Sequence, residues 1–65
     1  MFGYTVKYSV DIIEELIDNG HLKRDKFDWQ EAINDLNVHF KYGNVSLQRY
    51  KYLMNKLKSI DNWNF

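Results

Sequence analysis

Between residues 28 and 42 the large apolar side chains Trp29, Ile33, Leu36 and Phe40 return every three or four positions. That is the period of a helix with one face against a core. The spacing predicts a central helix over 28–42, with Asp28 and Glu31 as a D-x-x-E capping box and Phe27 just outside as a hydrophobic staple. Before it, Ile12, Ile13, Leu16 and Ile17 fall on one side of a segment whose other side holds Asp11, Glu14, Glu15 and Asp18. A first helix over 10–19 follows, capped by Ser9 or Asp11 and stopped by Gly20. After it, Leu47, Tyr50, Leu53, Met54, Leu57 and Ile60 form the buried stripe of a third helix over 47–60, capped by Ser46, with Val45 and Tyr50 as its staple. Tyr52 falls off that stripe.

Residues 2–10 follow a different period. Phe2, Tyr4, Val6, Tyr8 and Val10 alternate with Gly3, Thr5, Lys7 and Ser9, as in a β-strand. A lone strand leaves its backbone unsatisfied and needs an edge to pair with. Inside the chain that edge is the 61–65 tail, where Trp63 and Phe65 alternate with Asn62 and Asn64. Otherwise the segment pairs with a twin chain or lies as an extended arm over the helices. The fold class is therefore mostly α: a compact three-helix domain with a short N-terminal extended arm or β-strand and an aromatic tail, one domain over 1–65.

Two corners connect the helices in the same way. Gly20, Leu22 and Phe27 align with Gly43, Val45 and Tyr50 at a constant offset. Each corner reads as a glycine of positive φ, an aliphatic side chain two positions on that turns into the core, a polar cap region, and a ring that packs beneath. Leu16-x-x-x-Gly20-x-Leu22 with Phe27, and Tyr42-Gly43-Asn44-Val45-Ser46 with Tyr50 and Leu53, resemble the short helical hairpin of SHOCT-type domains. The acidic pair of that family is absent at both corners. The resemblance implies oligomerisation or interaction, not catalysis.

Composition narrows the function classes. With no cysteine there is no disulfide framework and no thiolate metal site. A 45% hydrophobic and 17% aromatic content is that of a folded chain, not a disordered one. No apolar run reaches the roughly 18 residues of a membrane span, and the N-terminus lacks a signal peptide's basic start and apolar stretch. A cytoplasmic protein without membrane contact is expected. Richness in Lys, Asn and Ile with one alanine suits an AT-rich genome, and the size suits a phage or mobile element.

Candidate chemistry is sparse. His21 and His39 lack ligand spacing, so no metal or other cofactor is expected. Glu14 and Glu15 point to different sides of a helix, and no phosphate loop or nucleophile motif is present, so no catalytic residues are assigned and no enzyme is expected. The net charge is zero but unevenly placed: four acids in the first helix, and Arg49, Lys51, Lys56 and Lys58 in the third. Either these segments pack side by side and neutralise each other, or the third helix keeps a basic face for nucleic acid. The function expected is a non-enzymatic protein-interaction module, a regulator or inhibitor that occupies a partner's surface through Tyr4, Tyr8, Tyr52, Trp63 and Phe65, with a homodimer as one form. The alternative is a helix-turn-helix DNA binder that presents Gln48, Arg49, Lys51, Lys56 and Lys58.

Overall fold

A computed structural model describes residues 5–60 of the 65. It contains α1 (Val10–Asp18), a single 3₁₀ turn (His21–Lys23), α2 (Lys26–Lys41) and α3 (Leu47–Ser59), arranged as the mostly helical three-helix domain that the apolar periods predict. Tyr4, Trp63 and Phe65, and any pairing between the N-terminal alternation and the tail, lie outside the described residues.

Each helix begins at a side-chain cap. The Ser9 hydroxyl accepts from the Ile12 amide at 3.3 Å and the Ser46 hydroxyl from the Arg49 amide at 3.2 Å, so both predicted serine caps form. Gly20 and Gly43 hold φ of 78° and 76°, the left-handed conformation that the two corners demand.

The start of α2 differs from the expectation. Asp25 is its N-cap, and the Oδ1 of that residue accepts from the amides of Phe27 and Asp28 at 3.0 and 3.1 Å. Asp28 lies inside the first turn, where its carboxylate is held by other partners, so the box Asp28-x-x-Glu31 does not cap the helix. Phe27 consequently sits in the first turn at 75% exposure instead of stapling the helix or packing under the first corner. Leu22 makes the turn compact: the 3₁₀ turn points it fully into the core.

The core lies where the three helices meet. Ile13, Leu22, Leu36, Leu53 and Leu57 are wholly buried, with Val10, Trp29, Ala32, Met54 and Ile60 around them. Burying each of the large aliphatic side chains contributes about 1.5–3 kcal/mol, the main term against the backbone entropy of so short a chain. The Trp29 indole N–H also donates to the Leu57 carbonyl at 2.7 Å, which ties α2 to the last turn of α3 and satisfies a polar atom inside the core. Leu47, counted on the buried stripe, is 51% exposed, because it stands in the first turn of α3 beside the corner.

No strand forms among the described residues. Residues 5–9 are an arm that crosses α2. In a strand, successive amides point to opposite sides; here the consecutive amides of Lys7 and Tyr8 both donate to Asp35 Oδ2, at 3.0 and 2.9 Å, which bends the chain instead.

Candidate interaction surface

Three groups of side chains are assembled from distant parts of the sequence, and they decide which surfaces are spent on the fold and which are left over.

The first group fastens the arm. Asp35 is fully buried, and its carboxylate takes the Lys7 and Tyr8 amides. One turn further along α2, His39 Nε2 donates to the Tyr8 carbonyl at 2.9 Å. Towards the start of α2, Asp28 accepts from His21 Nε2 at 2.7 Å and lies 3.5 Å from Lys7 Nζ. The His21 hydrogen bond, followed by those from Tyr8 and Lys7, holds the Asp28 carboxyl below the ordinary aspartate range, against the opposing effect of its burial. Burial pushes the Tyr8 phenol upward in turn. Tyr8, expected as a protein-binding ring, is therefore half-buried against the core and occupied by the arm's own contacts.

His21, Asp25 and Asp28 each place a possible ligand atom within 4.8 Å of the others, a grouping the sequence spacing did not reveal. Asp25 is engaged with two helix amides, and Asp28 with His21 and Lys7. Hydrogen bonds account for the cluster as a helix cap and corner brace.

The second group joins α1 to α3. Arg49 donates to Asp11 Oδ1 at 2.9 Å and to Glu14 Oε1 at 2.7 Å. Glu14 first and Asp11 second raise the Arg49 pKa. Lys56, two turns on along the same face, is raised by its hydrogen bond to Tyr52, with Asp18 and Glu14 adding attraction. The acidic side of α1 thus lies along one basic side of α3, as side-by-side packing of the two charged segments requires. Of the five residues assigned to nucleic-acid binding, Arg49 is occupied by carboxylates and Lys56 leans over Tyr52 at 5.0 Å; Gln48, Lys51 and Lys58 are exposed. A shallow pocket of about 260 Å³ opens beside this junction, between Ser9, Val10, Asp11, His39, Asn44 and Arg49.

The third group is apolar and surrounds the second corner. Phe40 and Tyr50 stack with centroids 4.3 Å apart and planes 18° from parallel, and the Tyr50 hydroxyl donates to Asn37 Oδ1. Phe40 is nevertheless 39% exposed, Tyr42 70% and Leu47 51%. Tyr42 and Leu47 stand at the end of α2 and the start of α3, on either side of Gly43. The apolar periods place Leu47 and Phe40 in the core and are silent on Tyr42; what the three share in sequence is their closeness to one glycine, Gly43. Tyr52 is 52% exposed, as its position off the stripe predicts, but it stands on the α1 side of α3, apart from this group.

No family model matches this chain, and neither does any curated protein or any solved structure among those compared. No helix among the described residues is long and apolar enough to cross a membrane.

Proposed function

We propose that this protein is a small non-enzymatic interaction module that docks a partner protein through its second corner. The observation that carries this reading is the exposure of Tyr42, Leu47 and Phe40 around Gly43, with Phe40 ordered against Tyr50. Rings and aliphatic side chains grouped on a rigid helix corner are the usual anchors of protein interfaces, and rotamers already fixed by stacking lower the ordering cost of binding. Action by occupying a partner's surface, as a regulator or inhibitor does, suits a domain with little room for a substrate cavity. This interface differs from the set of rings expected from sequence, of which Tyr4, Trp63 and Phe65 lie outside the described residues, Tyr8 is half-buried and Tyr52 is exposed on another side.

The test is site-specific crosslinking in the producing cell. A photoreactive residue in place of Tyr42 is expected to give a discrete protein adduct, and one in place of exposed Glu15 none. Equal labelling from both positions, or none from Tyr42, would count against the corner.

The helix-turn-helix reading retains Gln48, Lys51 and Lys58, but its strongest residue, Arg49, sits between two carboxylates that phosphates would have to approach. A duplex-DNA mobility shift at low salt, lost when Lys51 and Lys58 are changed to glutamine, would restore it.

A further inference from the structure

We propose that His21, Asp25 and Asp28 form a binding site for one divalent transition ion of the zinc class, which clamps the first corner to the start of α2. The site lies at the opposite end of α2 from the second corner and stands apart from the reading of that corner as a docking surface.

Local structure assembles the ligand set. Asp25 is the N-cap of α2 and Asp28 follows three positions on, and side chains at those two positions turn toward the same side of a helix start, as they do in a capping box. Gly20, in its left-handed conformation, and the 3₁₀ turn bring His21 back over them, and the His21 amide is fixed by Asn19 Oδ1 at 2.8 Å. One donor atom from each of the three residues then lies within 4.8 Å of the others, with His21 Nε2 2.7 Å from Asp28 Oδ2. Ligand bonds of about 2.0–2.2 Å put the donors of a four- to six-coordinate ion about 3–4 Å apart. Small side-chain rotations therefore bring the three onto one ion, and the part-exposed His21 ring leaves its outer side open to water ligands.

Charge and donor type select the ion. Two carboxylates meet here. The helix amides hold Asp25 through Oδ1, and Oδ2 accepts no hydrogen bond among the described residues. The Lys7 ammonium, 3.5 Å from Asp28 Oδ1, is a cation already drawn to the pair, and its side chain is exposed enough to give way to a doubly charged one. An imidazole beside two carboxylates suits Zn²⁺ and its transition-metal neighbours better than Mg²⁺ or Ca²⁺, which take oxygen ligands. The spacing between His21 and His39 gives no sign of this set, because it joins one histidine to two aspartates across a corner. A chain of this length builds only a small core, and an ion that bridges the 3₁₀ turn to α2 binds the folded form and so adds to its stability.

The experiment follows the histidine ring resonances and backbone amides of the untagged full chain during titration with zinc chloride, with magnesium chloride as the comparison. Zinc is expected to shift the His21 ring and the amides of residues 21–28, to saturate at a single bound ion and to raise the melting temperature. The His39 ring, which donates to the Tyr8 carbonyl, is the internal reference and is expected to stay in place. His21→Gln and Asp25→Ser should each weaken zinc at least about tenfold with the circular dichroism unchanged; serine keeps a helix cap while removing the carboxylate, so this variant separates ligation from folding. No shift at all, shifts that move both histidine rings alike without saturating, or an affinity unchanged in both variants would overturn the site. Equal binding of magnesium would overturn the imidazole as a ligand and with it the transition-ion assignment. None of these outcomes bears on the second corner.

Discussion

Replacing Asp35 tests how the arm is attached, and its effect can be estimated from the contacts. The carboxylate is fully buried and accepts two backbone amides at 3.0 and 2.9 Å. Hydrogen bonds to an ionised group contribute about 1.5–3 kcal/mol each, and two donated to one oxygen share that charge, so Asp35→Ala is expected to cost about 2–4 kcal/mol. A chain of this length has a total stability of roughly 3–10 kcal/mol. The alanine variant is therefore expected to be close to unfolding, and Asp35→Asn is the more readable change. It keeps the shape and an acceptor oxygen, loses the charge and adds donors that the two arm amides cannot accept; about 1–2 kcal/mol is expected.

The assay is urea unfolding followed by circular dichroism. With a slope near 1 kcal/mol per molar, typical of small domains, the asparagine variant should move the midpoint down by about 1–2 M. The amide resonances of Lys7 and Tyr8 should move as well, while those of α3 stay in place. A midpoint within about 0.3 M of the parent, or unshifted Lys7 and Tyr8 amides, would refute the claim that this carboxylate fastens the arm.

Other perturbations probe the remaining elements. Gly20→Ala and Gly43→Ala should each lower stability by about 1 kcal/mol through left-handed strain alone, since an added Cβ meets nothing within 4 Å; unchanged melting temperatures would show that the corners relax. Arg49→Gln should cost only about 0.5 kcal/mol, because its side chain and its partners are substantially exposed, and the difference should shrink in high salt; a salt-independent loss would contradict an ionic clasp. Because the folded-state pKa of Asp28 is depressed, its contribution is present above the ordinary value of 3.8 and is lost as pH falls through the lower folded value. The stability gap between the parent and Asp28→Asn should therefore narrow on acidification from neutral pH to below that range, and a gap that stays constant would reject the network around His21.

What the sequence made legible was local. Ser9 and Ser46 act as caps within three residues of their own positions, and Gly20 and Gly43 need only their own φ, so short-range chemistry specified them. The start of α2 was ambiguous because Asp25-x-x-Asp28 and Asp28-x-x-Glu31 both read as caps, and the choice falls to His21 and Lys7, which draw Asp28 away from the helix end. Asp35 was unreadable for a similar reason: a carboxylate between Ala32 and Leu36 looks like a solvated edge, and only an arm twenty-eight residues earlier makes it a buried acceptor. The corner surface fell between two local readings. Periodicity placed Phe40 and Leu47 in the core, but at the ends of α2 and α3 the helix supplies a ridge with no third helix covering it completely, so the same apolar period continues into solvent.

The net charge of zero hides an uneven placement of the charged side chains in the fold. Asp11, Glu14, Asp25, Asp28 and Asp35 all lie in the first part of the chain, and each accepts a hydrogen bond that holds an arm, a cap or a helix in place. Lys41, Lys51 and Lys58 lie in the acid-free part and hold nothing comparable. Carboxylates engaged within the fold have their field locally compensated, whereas these ammonium groups are solvated and spread out, Lys41 in the last turn of α2 and Lys51 and Lys58 about 10 Å apart along α3, where salt screens them from one another. At the second corner the exposed Lys41 and Lys51 stand near Asp11 and Glu14, which reach Arg49 in the first turn of α3, so charges of both signs are presented there. Salt dependence therefore separates the two contributions at this surface: a binding event there that ignored ionic strength would locate its energy in the exposed apolar side chains Tyr42 and Leu47.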